Sequence, residues 1–217
     1  IHGMDYSGMK YAPNLIAKAT VRSTYSRIAF TTMSVAEFIR GLGYQAIPSS
    51  NDTALNIPLA IDAGLGELGM NGKLINPFFG SLARISKVIT DLPLVSDKPI
   101  EFGVSEFCQS CKKCAEACKV KAISTNKPSY IPMGNYSHKD VLQYQIDHEK
   151  CRKYWTKVGT NCGVCISVCP YNKINSSLSV GLKSKAILFP FFNKVFIKIN
   201  DYFRKKDNFS NDFFCDS

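Results

Sequence analysis

The first hundred residues of this 217-residue chain contain no cysteine, although the whole chain holds nine. Disulfide scaffolds are usually small and spread their cysteines along their length. The asymmetry therefore points to a metal module beside an ordinary domain. No stretch of about 20 apolar residues occurs, which excludes a membrane-spanning helix. Acidic residues are scarce, 17 against 27 Lys and Arg, for a net charge of +10. The lysines are scattered and form no polybasic run, so the charge reads as a solvated basic surface and not as a nucleic-acid site. Histidine is rare (His2, His138 and His148), and each reads as an ordinary surface or partly buried residue. The chain opens on "IHGMDYSGMK" with neither initiator methionine nor export signal, and reads as a mature form or an internal piece whose address stays open.

What is present begins at Cys108. "CQSCKKCAEAC" spaces Cys108, Cys111, Cys114 and Cys118 as C-x2-C-x2-C-x3-C, with Lys119 where a proline usually follows. "CRKYWTKVGTNCGVCISVCPYN" adds Cys151, then Cys162, Cys165 and Cys169 as C-x2-C-x3-C-P. Thiolates suit zinc or iron–sulfur clusters. Zinc needs only paired C-x2-C elements, whereas two quartets of this spacing match bacterial two-cluster ferredoxins, in which the fourth cysteine of a run serves the other cluster. Cys108, Cys111, Cys114 and Cys169 are therefore expected to hold one [4Fe–4S] cluster, and Cys118, Cys151, Cys162 and Cys165 the second. Cys215 reads as a bystander.

The cysteine-free half alternates helix and strand signals, which gives an α+β layered fold. "TTMSVAEFIRGLGYQAIP" reads as a helix capped by Ser34, with Val35, Phe38, Ile39 and Leu42 at helical spacing and Gly43 at its end, then a short strand closed by Pro48. Ser50, Asn51 and Asp52 offer caps for a second apolar helix that ends in Gly64, Gly66 and Gly69. Those glycines follow a helix, which excludes a dinucleotide fingerprint. "ARISKVITDLPL" reads as one strand. The expected organisation is a core over residues 1–100, a two-cluster module over 101–180, and an aromatic, basic tail over 181–217 packed on the core.

From about Tyr25 to Cys169 the text resembles the corrinoid-dependent reductive dehalogenases, through "IPSSNDTALNIPLAIDAGLGELG", "TDLPL", "FGVSEFC" and the closing C-x2-C-x3-C-P. The family's N-terminal region and export signal are absent from this text, and so are the paired tryptophans often found near its C-terminus; Trp155 is the single tryptophan. The resemblance implies a nitroreductase-like cobalamin-binding core followed by the ferredoxin domain. It also implies a corrinoid with no protein histidine ligand, held largely by backbone. Ser49, Ser50 and Gly66, being small, would permit its close approach.

The resemblance further implies a catalytic set of Tyr25, Asn51 and Arg84. Singly, each has an ordinary explanation: a core tyrosine, a helix cap, a surface strand residue. Together they suit reductive removal of halogen from an organohalide: Tyr25 as proton donor, Arg84 as the permanent cation that favours phenolate, Asn51 as the positioning amide. An external low-potential donor would feed the clusters. Respiratory members add a small membrane-anchor protein on the exported face of the cytoplasmic membrane, others stay in the cytoplasm, and a homodimer is compatible with either. Two other readings compete. One is an epoxyqueuosine reductase-like tRNA-modifying enzyme, for which Asp52 would be the pocket acid; the other is a corrinoid-free two-cluster electron carrier.

Overall fold

The computed structural model describes residues 1–134, 136, 140–172, 195, 197 and 198. His138, Cys215 and the proposed packing of 181–217 lie outside the described residues. In chain order the elements are β1 (His2–Gly3), α1 (Tyr6–Met9), α2 (Leu15–Gly41), β2 (Ala46–Ser49), α3 (Asn56–Asp62), β3 (Glu67–Leu68), β4 (Leu74–Ile75), β5 (Ala83–Arg84) and β6 (Lys87–Thr90). The cysteine-rich half adds α4 (Val104–Cys111), α5 (Lys113–Ala117), α6 (His148–Val158), α7 (Val164–Ser167) and a 3-10 turn at Pro170–Asn172. The fold class is α+β. Three antiparallel ribbons, β1 with β5, β2 with β6 and β3 with β4, lie among the helices.

Helix α2 runs 27 residues and starts far upstream of Ser34. Ser34 is no cap: mid-helix, its Oγ donates back to the Phe30 carbonyl at 3.0 Å. The buried stripe is Ala17, Val21, Thr24, Ile28, Thr32, Ala36 and Ile39, spaced by three and four residues. Of the large residues expected to face the core, only Ile39 does so; Phe38 is 67% exposed and Leu42 53%. Two buried threonines explain the difference. Thr24 and Thr32 return their hydroxyl protons to the carbonyls of Thr20 and Ile28, at 2.9 and 2.6 Å, so their polar atoms are satisfied inside the helix's own turn. A face of alanine, threonine and the β-branched Val21, Ile28 and Ile39 thereby packs closely, while Phe30, Phe38 and Leu42 point outward.

Helix α3 also starts later than its candidate caps. Leu55 is its N-cap and makes no side-chain cap bond. Asp52 instead closes a turn of its own, its Oδ1 accepting from Ser50 N–H at 3.0 Å and Ser49 Oγ at 3.1 Å. The expected single strand "ARISKVITDLPL" is two, β5 and β6, parted at Ile85–Ser86 because each half pairs elsewhere. The β2–β6 register sets Ser49 opposite Lys87, and the β1–β5 register sets His2 opposite Arg84. These two pairings place the site.

The two halves of the chain share their cores. Ile75 packs with Val104, Phe107 and Tyr171; Met70 with Ala115, Ile123, Tyr144 and Ile146; and Met4, Met9, Val21 and Leu82 with Ile166. A polar clamp joins them as well. Buried Asn172 accepts from Ser81 N–H and Ser81 Oγ at 2.9 and 3.0 Å and donates to the Ile166 carbonyl at 2.6 Å. Gly80, beside that clamp, has φ +57°, and a Cβ there would lie 2.5 Å from the Tyr171 carbonyl carbon and oxygen. Gly80→Ala is expected to cost about 2–4 kcal/mol, from left-handed strain plus overpacking against backbone. The urea midpoint of the cluster-loaded protein checks it.

Candidate active site and cluster ligands

Tyr25, Asn51 and Arg84 come from α2, the β2–α3 loop and β5, and they meet. Asn51 Nδ2 donates to the Tyr25 hydroxyl oxygen at 3.2 Å. The Arg84 guanidinium carbon lies 5.6 Å from the centroid of the Tyr25 ring, a cation–π distance. Tyr25 itself packs on the apolar group that contains Val21, Leu82 and Ile166. Burial pushes the Arg84 guanidinium below its usual value, opposed by the nearby Tyr25 and Cys165. Arg84 donates through one amino group to the Ala83 carbonyl at 3.2 Å, while its Nε is buried without a hydrogen-bond partner among the described residues. A buried cation with a spare donor beside a phenol is an anion-stabilising corner.

The loop carrying Asn51 is held from two sides. Asn56 Nδ2 donates to the Ser50 carbonyl at 2.8 Å, to Asn51 Oδ1 at 3.1 Å and to the Ile85 carbonyl at 3.2 Å. Lys87 Nζ donates to the carbonyls of Ser50 and Asp52 and to Asn56 Oδ1, at 2.9, 2.7 and 2.8 Å. Sequence reasoning missed both residues, and the only signal for Lys87 was its place opposite Ser49 in a ladder whose register the sequence does not print. Ser49 is buried, its Oγ engaged with Asp52 and Thr53. Ser50 is exposed beside Asn51. Gly66 lies apart from this loop in the turn after α3, where a Cβ would stand 2.2 Å from the Ile75 carbonyl oxygen. Its lack of a side chain is already needed by β4.

None of the eight described cysteines is in a disulfide. Cys108 and Cys111 lie on α4, Cys114 on α5, Cys118 at the C-cap of α5, Cys151 on α6, and Cys162, Cys165 and Cys169 on and around α7. Among the described residues no three His, Cys, Asp or Glu side chains close around a point fit for one metal ion. The sulfurs instead surround two volumes. Cys108, Cys111, Cys114 and Cys169 line one cavity, with Met70 and Tyr171. Cys118, Cys151, Cys162 and Cys165 line another of about 310 Å³. Mutual electrostatics group them identically, with one cross-link: Cys114 also feels Cys165. Burial pushes the Cys108 and Cys165 thiols up to about 12 and Cys111 up to about 11. Backbone N–H groups oppose that rise at several sulfurs, Met70 at Cys108, Lys113 at Cys111 and Val164 at Cys162, and Ala122 N–H donates to Cys118 Sγ at 3.3 Å.

Charge around the two quartets differs. The second cavity is lined by Lys73, Lys119, Arg152 and His148 and, among the described residues, by no carboxylate. Near the first both signs occur: Lys112 lines the cavity, Lys113 and Glu116 bear on Cys111, and Glu67 bears on Cys108. Cys165 has a further position: it packs on the same apolar group as Tyr25 and lies within electrostatic reach of Arg84. The second quartet is thus the one beside the phenol.

An α+β core that delivers a tyrosine–asparagine–arginine corner to a pair of cysteine quartets marks the chain as a two-cluster iron–sulfur protein. The model of a 4Fe-4S double cluster binding domain matches residues 107–172, and that of a reductive dehalogenase subunit matches residues 3–94. The chain belongs to the reductive dehalogenase family. It is 43% identical over 180 residues to a tetrachloroethene reductive dehalogenase of Sulfurospirillum multivorans, covering 83% of this chain and 36% of that protein. A solved reductive dehalogenase structure, described with a mechanism for B12-dependent dehalogenation, superposes with a TM-score of 0.80 at 30% identity, over 93% of this chain and 29% of that one. An epoxyqueuosine reductase of Lactococcus garvieae is 32% identical over 128 residues, 56% of this chain and 33% of that protein. The chain spans about a third of the length of these relatives. Among the described residues, no helix is long and apolar enough to cross a membrane.

Proposed function

We propose that the protein to which this chain belongs replaces halogen by hydrogen in an organohalide, taking two electrons and one proton per carbon–halogen bond and releasing halide. The observation that carries this reading is the Tyr25–Asn51–Arg84 corner set beside Cys165. In this reading residues 1–100 supply the corner and residues 101–180 the clusters. Cys108, Cys111, Cys114 and Cys169 hold the cluster that receives electrons from an external low-potential donor. Cys118, Cys151, Cys162 and Cys165 hold the one that passes them on, since Cys165 adjoins the corner and Cys114 packs on the same apolar group as Cys165 and feels its charge.

The corner fits a corrinoid and its substrate on one structural ground: a buried guanidinium Nε with no partner among the described residues is a donor reserved for a group from outside. Ser49, Ser50 and Gly66 are proposed to border the corrinoid, with Ser50 the exposed member and Gly66 serving β4 as well. When bound, the corrinoid supplies the low-potential metal chemistry. The chain's own residues do the rest. Tyr25 gives its phenolic proton to the carbon that loses halogen and regains one from solvent. Arg84 stabilises the phenolate and the departing halide. Asn51 donates to the phenolic oxygen, a bond that strengthens as that oxygen becomes anionic.

One feature counts against the tRNA-modifying alternative, which needs a free pocket acid. Asp52 Oδ1 is engaged in its own turn, and hydrogen bonds from its own backbone, Ser49 and Ser50 hold the carboxyl below the usual carboxylate range. The test is anaerobic reconstitution with iron, sulfide and cobalamin, then chloride or bromide release from an organohalide panel with reduced methyl viologen. About eight irons and one cobalt with halide release are expected. Eight irons without cobalt would leave an electron carrier and sink the enzyme reading.

A further inference from the structure

The hydrogen bonds behind Tyr25 all run in one direction. Lys87 carries only donors, so the Asn56 atom it meets at 2.8 Å must be the amide oxygen. That fixes the Asn56 amide, and its Nδ2 is further pinned by the carbonyls of Ser50 and Ile85, which only accept. Asn56 Nδ2 then faces Asn51 at 3.1 Å, so the Asn51 atom there must be its oxygen. Asn51 consequently turns its Nδ2 to Tyr25, and at 3.2 Å the phenolic oxygen is the acceptor. Donation passes from Lys87 to Asn56 to Asn51 to Tyr25, with neither amide free to flip. A phenol whose oxygen accepts from the protein keeps its own proton unspent. Were the Asn51 amide reversed, Tyr25 would donate inward and hold its proton against the loop.

We propose that Asn56 and Lys87 are positioning residues that lock the amide polarity at Asn51, so that Tyr25 accepts a hydrogen bond from the protein and reserves its proton for the substrate. The inference rests on the dehalogenase reading for the proton's use, but the polarity itself does not. It also explains why the loop is braced so heavily: Lys87 and Asn56 together meet the backbone or side chain of Ser50, Asn51 and Asp52.

The decisive variant is Asn56→Asp. A carboxylate at this position still accepts from Lys87 and is favoured at the start of α3, but it cannot donate, so it also gives up the bonds to the Ser50 and Ile85 carbonyls and must turn its second oxygen away from them, toward Asn51. Asn51 then turns its Nδ2 to the carboxylate and its oxygen to Tyr25, which must donate inward. The direct readout is the tyrosine Fermi doublet in the Raman spectrum of the cluster-loaded protein, isolated as a difference against Tyr25→Phe. Its intensity ratio is high for an accepting phenol and low for a donating one. The native protein is expected to show the accepting signature, Asn56→Asp the donating one, and Asn56→Ala, which removes the lock, an intermediate ratio. In parallel, Asn56→Asp is expected to lower the kcat of halide release at least tenfold, with KM within twofold, iron content unchanged and a larger solvent deuterium isotope effect on kcat. A donating signature in the native protein, or an unchanged ratio in both variants, overturns the inference whatever the activity. So does the expected Raman reversal with kcat and isotope effect unmoved, which would show that polarity does not govern proton delivery. Absence of halide release from the native protein, with its accepting signature intact, would instead strike the dehalogenase reading.

Discussion

Tyr25→Phe is expected to lower halide release by about 10²–10⁴-fold, the range a single positioned proton donor contributes. The substitution removes one oxygen and little else. The ring keeps its packing on Val21 and Leu82 and its face toward Arg84. Asn51 Nδ2 loses an acceptor, but its bond to Tyr25 lies at an exposed position where water can replace it, so stability should change by no more than about 1 kcal/mol. The proton leaves the phenol only as the new carbon–hydrogen bond forms, so the lost interaction belongs to the transition state. The kcat should therefore fall while KM stays near the native value. Single-turnover halide release, paired with iron counting on the same preparation, separates chemistry from cluster loss. A fall of less than tenfold with full iron occupancy would mean that the proton comes from elsewhere.

The cysteine runs were legible because ligand spacing is largely a local property: C-x2-C-x2-C prints itself in seven residues of text, Cys108 to Cys114. Tyr25, Asn51 and Arg84 were not legible in that way. They stand 26 and 33 residues apart on a helix, a loop and a strand, no periodicity joins them, and only the resemblance to a family singled them out. What brings them together is the pairing of β1 with β5 and β2 with β6, ribbons of two and four residue pairs. Such short strands carry little pattern of their own. Their register also decides that Lys87 stands across from Ser49, which is why the brace behind Asn51 was missed. The misread face of α2 has a different cause. Counting large apolar side chains favours Val35, Phe38 and Leu42, whereas the helix buries alanine and β-branched residues, among them Thr24 and Thr32, whose hydroxyls the helix itself satisfies.

The shared cores carry a thermodynamic consequence for the iron. Without clusters, the thiols of Cys108, Cys111 and Cys165 are buried and pushed up to about 12, 11 and 12, chiefly by desolvation. In the unfolded chain they would titrate near the ordinary cysteine value of about 8.5. Below that value both states hold the protons, and stability does not depend on pH through these groups. Between about pH 9 and 11 the unfolded chain releases them while the folded one keeps them, so unfolding becomes easier as pH rises. Each thiol contributes at most about 1.4 kcal/mol per pH unit, and three contribute at most about 4 kcal/mol per unit. Against a typical stability of about 5–15 kcal/mol, that is enough to unfold the iron-free protein within the window. Cluster-bound thiolates have already lost their protons and contribute no such slope. The expected result is a urea midpoint for iron-free protein that drops steeply from pH 8.5 to 10.5 under anaerobic reductant, while that of loaded protein stays nearly level. Parallel slopes for the two forms would mean that these thiols are hydrated in the iron-free state. The quartets would then be assembled by the clusters and not prepared by the packing of Ile75, Phe107 and Tyr171 around Cys108 and Cys111.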